Sequence, residues 1–148
     1  MTNFDLRQIA RMTGCPYSSA DAYCEAWGVQ PSIRDSRKPK RQVRVYSRRD
    51  AFAFYLAHAM HRGGASLTAV KKAARFGLKA RVEARLAAGY RYLAANRDDL
   101  WLVGVGETLL AEGRGAVAIL LDLKAAYEEF QAQAAAVAAP PLVPMSVN

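Results

Sequence analysis

Eight basic side chains fall between positions 34 and 49 (Arg34, Arg37, Lys38, Lys40, Arg41, Arg44, Arg48 and Arg49), against the single acid Asp35. Cations at this density repel one another unless a polyanion shares the space, so the chemistry they point to is phosphate binding, nucleic acid before membrane. The rest of the chain sharpens the point. Residues 1–97 hold 19 Lys and Arg against 6 Asp and Glu, a net +13, whereas residues 98–148 hold 2 against 7, a net −5. Polyanion binding is therefore expected in the first two thirds and a different role in the last. Other reactive groups are sparse. Cys15 and Cys24 form neither a C-x-x-C pair nor a Cys/His cluster and read as buried thiols of a reducing compartment. His58 and His61 share one helical segment without a third ligand, so they read as packing or surface histidines and no metal is expected. No paired carboxylates and no nucleophile beside a base stand out. The expectation is a protein that is not an enzyme and needs no cofactor.

Local signals outline the elements that hold these groups. Asp5 is an N-cap with Gln8 at the capping-box position, Phe4 can staple onto Ile9, and Gly14 ends the first helix. A second helix begins at Pro16 or Tyr17 and runs to about Ala26 before Gly28. Two short helices joined at a glycine outline a helix-turn-helix. Pro31 and Pro39 exclude a continuous helix in the next stretch, and V-R-V-Y at 43–46 alternates as a half-exposed strand does. A β-hairpin with a basic tip at 36–40 follows.

Ser47 with Asp50 caps a third helix, carried by Phe52, Tyr55, Leu56, Ala59 and Met60 and stopped at Gly63-Gly64. Ser66 caps a fourth through Leu67, Val70 and Ala74. Leu78, Val82, Leu86, Tyr90 and Leu93 read as one stripe on a fifth helix over 78–95, an apolar face that must be covered. Residues 100–105 make a strand, 108–111 a candidate partner for it, and 116–121 either a third strand or the buried start of a helix. Gly104 and Gly106 read as turn residues, not as a dinucleotide fingerprint. Asp122 caps a last helix to about Val137, and the tail 140–148 has no stripe and is expected to be disordered. At 148 residues and 52% hydrophobic content the chain can bury a core without staples. A cleaved secretory signal is not expected at the N-terminus, and the longest apolar run, 116–121, is too short for a membrane span, which places the protein in the cytoplasm.

Four blocks now stand in order: R-Q-I-A-R-M-T-G at 7–14, A-Y-C-E-A-W-G-V-Q-P at 22–31, R-V-Y-S-R-R-D at 44–50 and H-R-G-G-A-S-L-T-A-V-K-K at 61–72. Over about residues 4–74 the set resembles the MerR-type winged helix-turn-helix transcriptional regulators. The resemblance implies a homodimer on double-stranded operator DNA, with a recognition helix in the major groove and a wing against the backbone. Carried over, it implies DNA contacts from Tyr17, Ser18, Ser19, Asp21 and Tyr23 and, in the wing, from Arg44 and Tyr46, to which the dense charge run adds Arg34, Arg37, Lys38, Lys40 and Arg41 as expected phosphate contacts. One extra residue before the wing leaves Tyr23 and Cys24 as alternatives for the family's recognition-helix aromatic. Asp21 stands where the family has an Arg; it would repel phosphate unless it accepts from cytosine N4 or orients an Arg.

The expected fold class is mainly α with small β. A winged helix-turn-helix at 1–76 is followed by a dimerisation helix and a small α+β segment at 77–139. Leu78, Val82, Leu86, Tyr90, Leu93 and Trp101 would pair the subunits, Trp101 being equally placed to line a ligand pocket. The expected function is a sequence-specific DNA-binding transcription regulator, ligand-independent or controlled by a partner protein. An architectural, excisionase-like DNA-bending factor of phage or mobile-element type is the alternative.

Overall fold

A computed structural model describes residues 3–31, 33–35, 43–104 and 119–138. It is mainly helical, with two three-stranded antiparallel sheets. The hairpin tip at 36–40, the strand expected at 108–111 and the tail from 140 lie outside the described residues, and so does Gly106.

Strand β1 (Phe4–Asp5) leads directly into α1 (Leu6–Thr13), where Asp5 and Gln8 form the reciprocal capping box with both bonds at 2.9 Å. Gly14 ends the helix at φ 71°, a left-handed conformation that costs glycine nothing. Helix α2 (Tyr17–Trp27) follows, closed by Gly28 in the same conformation. Strands β2 (Ile33–Asp35) and β3 (Val43–Tyr46) pair antiparallel, with Arg34 opposite Arg44, and β1 adds on the other edge of β3. The hairpin expected from V-R-V-Y is therefore present.

Ser47 and Asp50 cap α3 (Arg48–Arg62) reciprocally, as expected, and Ser66 caps α4 (Leu67–Leu78). These two helices make the most extensive helix–helix contact among the described residues, and Ala51, Ala53 and Ala57 on α3 and Val70, Ala73 and Ala74 on α4 are all fully or nearly fully buried. Small side chains allow close approach. At Gly77 an added Cβ would lie 2.6 Å from the Ala53 Cα.

The long helix expected over 78–95 is not formed. Helix α5 spans only Val82–Ala87, and Tyr90–Ala95 is strand β4. Two physical causes defeat the helical stripe. Gly89 takes φ 97°, which ends the helix, and the residues after it satisfy a period of two better than a period of 3.6. Leu93 and Ala95 enter the main core while Tyr92 and Ala94 pack in a small cluster with Trp101 and Val103 on the opposite face of the sheet. Strand β4 lies between β5 (Leu100–Gly104) and β6 (Ile119–Asp122), so its backbone groups are paired on both sides. The expected dimerisation stripe is corrected accordingly: Val82, Leu93 and Trp101 are buried within one chain, Leu78, Leu86 and Tyr90 are half-buried, and no single helix carries them.

Asp122 ends β6 and caps α6 (Leu123–Ala138), accepting from the Ala125 N–H at 3.1 Å. The same carboxylate takes two bonds at 3.0 Å from Arg91 on β4, which holds its pKa below the usual carboxylate value. Helix α6 then crosses back over the first half of the chain. Gln8 Nε2 donates to the Val137 carbonyl at 3.3 Å, and Phe130 packs on Phe52 with ring centroids 5.1 Å apart. One continuous core thus includes Phe4, Ile9, Trp27, Phe54, Leu93 and Phe130, running across the boundary between residues 76 and 77.

Candidate functional site

The exposed start of α2 and the strand β3 form one surface. Tyr17 and Ser18 are exposed and Ser19 is half-buried in the first turn of α2; Tyr17 lies under the Arg7 guanidinium at 5.2 Å. Asp21 follows one turn on, paired with the Arg44 guanidinium of β3, both side chains being about half exposed. This carboxylate raises the Arg44 pKa further, so the cation is permanent. Of the roles open to Asp21 in the sequence, orienting an Arg is the one the geometry realises.

Spacing explains the match. Arg44 and Tyr46 are two apart on a strand and so point to the same face, about 6.6 Å along it, while Asp21 and Cys24 are three apart on a helix, about one turn. Arg44 meets Asp21 at the rim; beneath it Tyr46 meets Cys24. Tyr46 is fully buried, its hydroxyl facing the Cys24 thiol and Arg44, and burial pushes its pKa well above the ordinary value. It cannot touch a phosphate. The contact inferred for Tyr46 from the R-x-Y pattern is therefore corrected: Arg44 alone of that pair reaches solvent.

Tyr23 is half-buried and stacked on Trp27, with centroids 4.6 Å apart and planes 6° from parallel. His61 tilts against both rings, which accounts for the exposed histidine, while His58 is buried against Trp27 and Phe54 and loses basicity through desolvation. No group of three metal-binding side chains occurs among the described residues. Cys15 and Cys24 are buried free thiols, and burial pushes Cys24 up to about 11, so neither is a ready nucleophile or ligand. Arg34 sits on β2 beside Arg44, and Arg37, Lys38, Lys40 and Arg41 lie outside the described residues.

The structure adds a cluster that the sequence reading did not assemble: Arg48 and Arg49 on α3 with Lys79, Arg81 and Arg85 around the start of α5. Its signal in the sequence was K-A-R-V-E-A-R at 79–85, absorbed there as the polar side of a long helix. No helix among the described residues is long and apolar enough to cross a membrane. No known family model matches the chain, and no curated protein matches it either.

Proposed function

We propose that this protein is a double-stranded DNA-binding transcription regulator of the MerR winged helix-turn-helix type, acting in the cytoplasm as a homodimer. Helix α2 enters the major groove with Tyr17, Ser18 and Asp21 foremost, and the β2–β3 hairpin is the wing on the flanking backbone. The observation that carries the reading is the Arg44–Asp21 ion pair, which sets the exposed start of α2 and the basic hairpin side by side on one face. Short, weakly basic side chains on α2 make direct base readout modest, so the hairpin supplies most of the affinity through counterion release. Val82 and Leu93 of the 78–95 stripe are committed to the core and so do not belong to the pairing surface.

Fluorescence anisotropy with labelled duplex at several salt concentrations tests this. Arg44→Ala should flatten the slope of log K against log salt by about 0.9, so that the affinity ratio of wild type to variant shrinks about 3.5-fold between 50 and 200 mM salt. Tyr46→Phe, altering only a buried hydroxyl, should leave the slope unchanged. An unaltered slope in a folded Arg44→Ala protein would remove the hairpin from the mechanism.

A further inference from the structure

On a separate part of the surface, the first turn of α3, the link between α4 and α5, and α6 enclose a cleft of about 690 Å³. Arg48, Arg49, Lys79, Arg81 and Arg85 line it, all exposed, and no carboxylate among the described residues does. Glu83 on α5 accepts from the Tyr127 hydroxyl at 3.5 Å. The wall behind the cations is apolar: Phe52 and Phe130 are buried, Leu78 and Tyr127 half-buried, and the Arg48 guanidinium lies over the Phe130 ring at 5.5 Å. Five like charges around one concavity repel each other, a cost that the Arg48 contact on Phe130 only partly offsets within the fold.

Arg81 adds an independent sign. It is the one non-glycine with positive φ among the described residues, at φ 43° and ψ 57°, in the N-cap position of α5 without a side-chain capping bond. A glycine would sit there unstrained. The strained residue instead delivers a guanidinium to the cleft, and strain of this kind clusters at ligand clamps.

We propose that this cleft binds a nucleotide-sized polyanion: a polyphosphate held by the five cations, attached to a flat apolar group that lies on Tyr127 and Leu78. The volume falls in the range of small-molecule sites, roughly 300–1,000 Å³. Duplex DNA is the poorer fit, since a rod meets only the rim of a concavity. The cleft shares no lining residue with α2 or the hairpin, so the proposal does not rest on the DNA-binding reading.

Calorimetry on the full chain with ATP, tripolyphosphate and adenosine as probes decides it. ATP is expected to bind about tenfold tighter than tripolyphosphate, the contribution of one stacked base. Arg49→Glu combined with Arg85→Glu should weaken ATP at least about tenfold for each cation lost. The matched pair Arg11→Glu and Arg62→Glu, outside the cleft, should leave it within about twofold. The milder Arg85→Gln carries the same test should the double reversal impair folding. The site is overturned by the absence of ATP and tripolyphosphate binding at millimolar concentrations, or by equal losses in the two double variants. ATP no tighter than tripolyphosphate overturns the apolar half of the proposal. A duplex that displaces ATP and loses affinity in the Arg49/Arg85 variant would make the cleft a backbone-binding surface and overturn the small ligand.

Discussion

Replacing Phe130 by Ala tests whether the acidic last third folds apart from the basic first two thirds. The ring is 1% exposed, 5.1 Å from Phe52 and 5.7 Å from Tyr55 between centroids, with the Arg48 guanidinium 5.5 Å above it. A void bounded by aromatic rings fixed on α3 collapses poorly, so the loss belongs in the upper part of the usual range, about 4 kcal/mol of the typical 3–5 for Phe→Ala. Against a total stability of about 5–15 kcal/mol this is a large fraction. The reporter should lie elsewhere: Trp27 packs on Phe54 and His61 at 5.2 and 5.4 Å, and its aromatic neighbours among the described residues all precede residue 62. In a Trp101→Phe background its emission follows that region alone. With a urea slope of about 2 kcal/mol per molar, the Trp27 midpoint should fall by roughly 2 M. A Trp27 transition that stays in place while circular dichroism shows α6 lost would refute the single cooperative core.

Two further outcomes are expected. Gly77→Ala places a methyl 2.6 Å from the Ala53 Cα and 3.1 Å from its nitrogen, backbone atoms that cannot rotate away, and should destabilise by about 1–3 kcal/mol in the same urea assay; unaltered stability would contradict the close packing of α3 on α4. Cys24 has its pKa raised by burial from 9.0 to about 11, so above pH 9 the unfolded chain loses this proton while the folded one keeps it. Stability should therefore fall as pH rises through 9 and level off above 11, by on the order of 2 kcal/mol. Since Tyr46 shifts in the same direction, the readout is the difference between wild type and Cys24→Ala in unfolding free energy at pH 8 and 11. No difference would place the thiol in water.

What could be read from sequence was what depends on neighbours within one turn. The caps at Asp5, Ser47 and Ser66 and the stop at Gly14 are local hydrogen-bond and steric facts, and the structure has each of them. The 78–95 segment failed because spacings of four and three suit a helix face, while the competing strand is stabilised by β5 and β6, partners the segment itself cannot reveal. Tyr46 failed for a related reason. Its strand parity is shared with Arg44, and only the seat of α2 over one end of that face separates a buried ring from an exposed guanidinium. The cleft was illegible because Arg49 and Arg85 stand far apart in the chain and meet only once α3, α4 and α5 are assembled.

Alanine and glycine at the seam between α3 and α4 have a geometric consequence. With Gly77 against the Ala53 backbone, no larger side chain fits at this point, and the two helices are in close backbone contact there. Arg48 and Arg49 stand at the start of α3, and the Trp27 ring rests farther along it, on Phe54 and His61. The cationic cleft and the ring cluster beside α2 thus stand on one helix, α3.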